Sequence, residues 1–174
     1  MSPRAVLVGL PGTGKSTTGR RLAKILAVPF ADSDDVVEAA QGRPVTEIFA
    51  EFGEPAFRQA EAAAVCDALT TFDGILSLGG GAVTNESTRA AITASGVEVV
   101  LLRATLQTLA DRVGDARTRP LLKADPAGRL TSLAAEREPL YSALATLTVD
   151  TDGRTPGQVA AQIAARLHEK AHRG

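Results

Sequence analysis

The segment Gly9-Leu-Pro-Gly-Thr-Gly14-Lys15-Ser16 constrains the fold of this 174-residue chain more than any other feature. It follows an apolar run at 4–8 and precedes leucine and isoleucine residues at helical spacing, which indicates a strand, a glycine loop and a helix. The spacing matches GxxxxGK[ST], a loop whose backbone N–H groups wrap around a polyphosphate. In that pattern the lysine reaches the β- and γ-phosphates and the next hydroxyl binds Mg²⁺. The sequence therefore predicts nucleotide binding by Gly12, Thr13, Gly14, Lys15, Ser16 and Thr17.

Apolar runs that end in polar or glycine turns alternate with helical patterns along the rest of the chain. This alternation predicts an α/β fold in which helices cover both faces of a parallel sheet, and the length suits one domain over 1–174. The strand candidates are 5–8, 29–31, 75–78, 97–102 and 146–149. The helix candidates are 15–27, 34–41, 46–52, 55–71, 86–94, 106–112, 127–144 and 156–171.

The charge balance argues against binding to nucleic acid. Lys and Arg total 19 against 20 Asp and Glu, so the net charge is −1, and no long basic block occurs. The partner expected from this balance is a small molecule. The single cysteine cannot form an intramolecular disulfide, and we see neither a signal-peptide pattern nor an apolar run of about 18 residues. We therefore expect a cytoplasmic protein with no membrane partner.

Two carboxylates follow the second predicted strand, in the segment Asp32-Ser33-Asp34. In open parallel sheets, ligands gather outside the carboxyl ends of the strands. One carboxylate could face Mg²⁺ while the other faces an acceptor hydroxyl. The residues leave open the alternative that Asp34 or Asp35 serves only as the N-cap of the next helix.

Three glycines, Gly79, Gly80 and Gly81, follow the third predicted strand. Without side chains, their backbone N–H groups can approach a ligand closely. A flexible turn is the alternative. The loop at 114–126 combines arginine, proline and glycine with little hydrophobic patterning, which is typical of a mobile lid whose arginine neutralises phosphoryl charge. A solvated basic loop is equally consistent with its composition.

Two further arginines stand out because of their neighbours. Arg58 and Glu61 lie at i,i+3 on one predicted helix face, so the glutamate can orient the guanidinium. Arg137 precedes Glu138-Pro-Leu-Tyr141. Taken alone, each arginine is also consistent with a surface salt bridge.

Taken together, these motifs resemble shikimate kinase over essentially the whole chain. GLPGTGKST, DSD, FRxxE, LGGGA, RPLL and EREPLY occur in the order and approximate spacing of that family. The resemblance implies transfer of the γ-phosphoryl group of ATP, with Mg²⁺, to the 3-hydroxyl of shikimate. It also implies a monomer with a P-loop kinase fold and a five-stranded parallel sheet of order 2-3-1-4-5.

The resemblance also assigns roles to individual residues. It implies that Asp34 orients the acceptor hydroxyl and that Ser16 and Asp32 support Mg²⁺. It also implies a shikimate-binding region at about 33–61. The residues implied to bind shikimate are Asp34, Arg58, Gly79, Gly80, Gly81 and Arg137. Catalysis is assigned to Asp34, Lys15 and the lid arginine, which is Arg119 with Arg117 as its competitor. Arg154, and less directly Arg112, matches the position that lines the adenine.

Two other classes of protein are consistent with the phosphate loop. Another small-molecule kinase of the same fold could act on gluconate or a nucleoside monophosphate. A nucleotide acceptor calls for base-stacking side chains, however, and the chain has no Trp, one Tyr and five Phe. A non-catalytic nucleotide switch is the second class; DxxG occurs at 111–114 and 150–153, but no NKxD element for reading guanine is present.

Overall fold

The computed structural model describes residues 1–114 and 126–173 of the chain. Its sheet contains five strands, β1 (Ala5–Val8), β2 (Phe30–Asp32), β3 (Ile75–Ser77), β4 (Val99–Arg103) and β5 (Leu147–Asp150). The strands are all parallel in the order β2-β3-β1-β4-β5. The predicted fold class and strand order are therefore confirmed.

Seven α-helices connect the strands or follow them in the described part of the chain. They are α1 (Lys15–Leu26), α2 (Ser33–Gln41), α3 (Val45–Thr71), α4 (Glu86–Ser95), α5 (Leu106–Gly114), α6 (Pro126–Leu144) and α7 (Pro156–Ala171). The boundaries of the predicted elements agree within two residues. Helix α3 is interrupted at Gly53 (φ 80°, ψ 174°), in agreement with the break expected between 52 and 55. A 3₁₀-helix at Ala82–Thr84 was not predicted.

Two apolar layers cover the two faces of the sheet. Side chains alternate along β1, so Leu7 packs with Leu22 of α1 and Ile163 of α7, whereas Val6 faces the side of Val65 of α3 and Ile92 of α4. All four residues of β1 are buried, which explains why its sequence is a continuous apolar run. None of the helices at 1–114 and 126–173 is long and apolar enough to span a membrane.

The parallel arrangement brings three segments to the same edge of the sheet. The glycine loop follows β1, Asp32 ends β2, and the glycines at 79–81 follow β3. Because β1 pairs with β3 and β3 pairs with β2, these segments are neighbours at the carboxyl ends of the strands. This edge is therefore where the predicted site residues converge.

Gly9→Ala is expected to lower the free energy of unfolding by about 2 kcal/mol. Gly9 has φ 149°, and an added methyl group would overlap the carbonyl oxygen of Leu102 and lie 3.2 Å from Thr13 Oγ1. Gly157→Ala is the matched control, because its methyl group would meet nothing nearer than 3.7 Å. Urea denaturation of both variants measures the difference. Equal stability of the two variants would contradict the steric argument.

Candidate active site

The phosphate loop is held compact by hydrogen bonds to its own carbonyl groups. Lys15 Nζ donates to the carbonyl oxygens of Gly9 (2.7 Å) and Leu10 (3.1 Å), and Thr13 Oγ1 donates to Leu10 O (2.8 Å). Helix α1 begins directly after Gly14, and no side-chain hydrogen bond caps its N-terminus in the described part of the chain. An anion at this position would face the N-terminus of α1, where backbone N–H groups and the helix dipole favour negative charge.

One side of the loop borders a cavity of about 290 Å³. Arg112 spans it, donating from Nη1 to Gly12 O (3.1 Å) and to Thr151 Oγ1 (3.2 Å). Arg154 donates to Asp150 O (3.3 Å) and to the side chain of Gln162. The cavity is lined by Gly12, Thr13, Gly14, Thr17, Thr18, Arg112, Thr151, Arg154, Pro156 and Val159. The structure thus brings both predicted adenine-side arginines to the glycine loop.

The other side borders a cavity of about 250 Å³, lined by Pro11, Lys15, Ser16, Asp32, Asp34, Leu78, Gly79 and Gly80. Ser16 Oγ donates to Asp32 Oδ2 (2.9 Å), which joins the two predicted magnesium ligands. Asp32 is the N-cap of α2, because its Oδ1 accepts a hydrogen bond from Asp34 N (3.1 Å). The alternative that Asp34 or Asp35 is that cap is therefore wrong, because the helix begins one residue earlier than expected.

Asp34 has a raised pKa in this setting. Desolvation by the surrounding protein is the largest cause and repulsion from Asp32 adds to it, while the positive charge of Arg58 opposes both. The residue as a whole remains exposed at the cavity. An accessible carboxylate with increased proton affinity is a stronger hydrogen-bond acceptor for a ligand hydroxyl.

The three glycines make room for charged side chains from other elements. A methyl group on Gly79 would lie 3.0 Å from Glu61 Oε1 and 3.4 Å from Asp34 Oδ1, and one on Gly81 would lie 2.5 Å from Arg58 Cζ. The sequence predicted backbone contacts with a ligand at these positions, which stays a prediction. The structure adds a steric role that depends on the packing of α3 against this loop.

Arg58 is held by an ion pair that is largely inside the protein. Its Nη1 donates to Glu61 Oε2 (2.7 Å), and only 1% of Glu61 is exposed. Burial raises the pKa of Glu61, while the hydrogen bond from Arg58 acts in the opposite direction. The predicted i,i+3 contact is confirmed, and its carboxylate is buried. Arg58 also forms a surface ion pair, because its Nη2 lies 3.5 Å from Oε1 of the exposed Glu54.

Arg137 lies beside the same loop, with Gly80 directly in front of it. A methyl group on Gly80 would lie 2.9 Å from Arg137 Nη1. The residue is 8% exposed, so it is not a surface arginine either. Two guanidinium groups therefore flank consecutive glycines next to Asp34, and this arrangement suits a small anion that also carries hydroxyl groups.

Two residues at the site were not predicted to have a role there. Ser33 Oγ accepts from Gly79 N (2.8 Å), and Tyr141 Oη donates to Gly80 O (2.6 Å). Ser33 lies between Asp32 and Asp34, and Tyr141 ends the EREPLY motif, so both are within segments that the sequence singled out. Their roles were missed because a hydrogen bond between distant segments leaves no periodic pattern in the sequence. The predicted lid arginines, Arg117 and Arg119, lie outside the described residues.

These features define a class of protein. A five-stranded parallel sheet of order β2-β3-β1-β4-β5, with GxxxxGK[ST] between β1 and α1, is a P-loop kinase fold. The second cavity, next to the loop, has the acidic and basic side chains expected for a small polar acceptor.

Comparison with known proteins identifies the family. Residues 11–168 match the family model for shikimate kinase. The chain is 50% identical over 167 residues to shikimate kinase from Salinispora tropica, covering 96% of this chain and 99% of the relative. It is 51% identical over 168 residues to that from Mycobacterium avium, covering 96% and 94%. The structure of shikimate kinase from Acinetobacter baumannii in complex with shikimate superposes with a TM-score of 0.88 at 30% identity, covering 98% and 94%. The chain belongs to the shikimate kinase family.

Proposed function

We propose that this protein transfers the γ-phosphoryl group of ATP to the 3-hydroxyl of shikimate, giving shikimate 3-phosphate and ADP. The observation that carries the proposal is the pair of guanidinium groups of Arg58 and Arg137, packed against Gly81 and Gly80 beside Asp34. Family membership and the likeness to a structure that contains shikimate support the same acceptor.

Shikimate carries one carboxylate and several hydroxyl groups, and the acceptor side of the site matches both. A planar guanidinium offers two parallel N–H donors to a carboxylate, which the point charge of lysine does not. In the proposal, Arg58 and Arg137 bind the carboxylate, and Glu61 keeps the Arg58 guanidinium oriented through its 2.7 Å hydrogen bond. The glycines at 79–81 leave space for both arginines.

Asp34 is the group proposed to orient the 3-hydroxyl and to accept its proton. It borders the same cavity as Lys15, so an acceptor bound there lies between the carboxylate and the end of the phosphate loop. Phosphoryl transfer has a loose transition state that requires chiefly an in-line acceptor and neutralised oxygens. The raised pKa of Asp34 favours a hydrogen bond from the hydroxyl without requiring a strong base.

On the nucleotide side of the site, the phosphate loop is proposed to bind ATP. The N–H groups at residues 12–17 and the ammonium group of Lys15 would hold the phosphates, while Arg112 and Arg154 would border the adenine. In the proposal, 33–61 binds shikimate, and Arg119, with Arg117 as competitor, approaches the transferred phosphoryl group from the lid at 114–126.

The residues present fit a magnesium ion. Ser16 Oγ and Asp32 Oδ2 are hard oxygen donors 2.9 Å apart, next to the loop. The described residues contain no group of three or more His, Cys, Asp or Glu side chains that could hold a metal alone, which agrees with an ion held mainly by phosphates and water. When bound, Mg²⁺ would neutralise charge on the β- and γ-phosphates.

The test is ADP release by the purified protein with MgATP, with and without shikimate, in parallel with gluconate, AMP and CMP. Among these acceptors, we expect turnover of MgATP only with shikimate, and ³¹P NMR should identify the product as shikimate 3-phosphate. Turnover with gluconate or a nucleotide instead would reject the assigned acceptor. A parallel measurement with GTP distinguishes a kinase from a guanine-nucleotide switch, which would bind GTP without transferring its phosphate to shikimate.

A further inference from the structure

Tyr141 is the only tyrosine of the chain and lies inside the protein next to the acceptor cavity. It is 1% exposed, and its hydroxyl donates a 2.6 Å hydrogen bond to Gly80 O. The proposed reaction does not use this residue. A buried tyrosine hydroxyl usually has a hydrogen-bond partner, and here the partner is a carbonyl of the glycine loop at 79–81, which is proposed to bind the substrate.

The hydrogen bond fixes the middle peptide of the glycine loop. The neighbouring carbonyls are held locally, because Gly79 O accepts from Ala82 N (3.0 Å) and Gly81 O accepts from Thr84 N (3.1 Å). Gly80 O instead accepts from a side chain of α6. The C=O group of Gly80 and the N–H group of Gly81 belong to one planar trans peptide and point in opposite directions. Holding Gly80 O therefore also fixes the direction of the Gly81 N–H group.

The same hydroxyl lies beside Arg137, one helical turn earlier on α6. A methyl group on Gly80 would lie 2.9 Å from Arg137 Nη1 and 3.5 Å from Tyr141 Oη, so the three groups are mutual neighbours. Burial raises the pKa of Tyr141 to about 12 although the charge of Arg137 acts to lower it. The hydroxyl therefore remains a donor at neutral pH.

Arg137 differs from Arg58 in how it is held. Arg58 has a buried carboxylate partner in Glu61, whereas no ion pair of Arg137 is found in the described part of the chain. Within that part, the buried Nε of Arg137 also has no hydrogen-bond partner. The charge of Arg137 also acts to lower the pKa of Glu61, so attraction to that carboxylate helps to hold the guanidinium. The other restraint on its position is the packing of α6 against the Gly80 peptide, which includes the hydrogen bond from Tyr141.

We propose that Tyr141 is a positioning residue for shikimate binding, acting through Gly80 and Arg137. Its ring anchors α6 in the core, and its hydroxyl joins the helix that carries Arg137 to the loop that the guanidinium faces. The inference rests on the proposed function, since it assigns Arg137 to the shikimate carboxylate.

Tyr141→Phe keeps the ring and removes only the hydroxyl. We expect the KM for shikimate to rise about fivefold to tenfold, because a buried carbonyl loses its donor and the loop is less well held. The kcat and the KM for ATP should stay within about twofold of wild type. Ile92→Val is the control, since it loosens the same apolar layer without touching Gly80. A purely structural role predicts that both variants lower Tm and leave the KM for shikimate unchanged, which would overturn the inference.

A double-mutant cycle with Arg137→Lys tests whether Tyr141 acts on shikimate binding through Arg137. If Tyr141 acts through Arg137, adding Tyr141→Phe to Arg137→Lys should raise the KM for shikimate by less than twofold more. Fold-changes that multiply fully would overturn the inference. Wild-type protein in the same assay separates the two proposals: without turnover of shikimate by wild type, the proposed function fails, whereas normal wild-type turnover with an unchanged Tyr141→Phe rejects only the role of Tyr141.

Discussion

Asp34→Asn is expected to lower kcat by about 10²- to 10⁴-fold, while the affinity for ATP stays within about twofold of wild type. The asparagine keeps the shape of the side chain but cannot accept the proton of the acceptor hydroxyl. Its position on α2, beside Gly79 and across the second cavity from Lys15, places the change on the acceptor side of the phosphate loop. The measurements are steady-state kinetics with saturating shikimate and titration with a fluorescent ATP analogue.

Stability measurements show whether the loss has a structural cause. The pKa of Asp34 is raised in the folded state above its ordinary value by burial and by the nearby charge of Asp32, so the folded protein binds this proton more tightly than the unfolded chain. The ionised group is then unfavourable for folding once the pH rises through the folded pKa. Asp34→Asn should therefore be at least as stable as wild type at pH 7, and the difference should disappear below about pH 4.

Asp35→Asn provides the matched control, because it removes the same charge from the next residue of α2. Asp35 does not border the acceptor cavity, so kcat should change little. An equal loss of kcat in both variants would indicate a general charge effect and contradict the role of Asp34. Loss of ATP binding in Asp34→Asn would instead indicate that Asp34 belongs to the nucleotide or metal site.

Most of the fold could be predicted because its elements carry local signals. The apolar run of β1 and the break in α3 near Gly53 are visible in the sequence. The 3₁₀-helix at Ala82–Thr84 was missed because three residues are too few to show a period. The strand order came from the family resemblance, since periodicity alone does not say which parallel strands are neighbours.

At the candidate site, too, contacts within one helix could be predicted from the sequence, whereas contacts between distant segments could not. Arg58 and Glu61 are three residues apart, so helical geometry predicted their contact. The bond from Tyr141 to Gly80 joins residues 61 positions apart, and only the packing of α6 against the loop reveals it. The glycines were expected to free the backbone for a ligand, but the structure shows that they also avoid collision with side chains of α3 and α6.

Gly81→Ala is expected to lower kcat/KM for shikimate by about 10²-fold by moving Arg58. The backbone of Gly81 (φ −92°, ψ −4°) is one that alanine adopts freely, so the loop itself is not strained. The new methyl group would lie 2.5 Å from Arg58 Cζ and 2.8 Å from Nη1, so the guanidinium must leave its place. Its 2.7 Å hydrogen bond to Glu61 is then lost, and the carboxylate-binding geometry with it.

The KM for shikimate should carry most of this loss, and the KM for ATP should not change. Gly157→Ala is the control, since it adds the same methyl group where the nearest atom is 3.7 Å away. If Gly81→Ala acts only through the guanidinium, it should cause no further loss in an Arg58→Ala background. A full further loss there would show that the loop itself, rather than the placement of Arg58, requires glycine at this position.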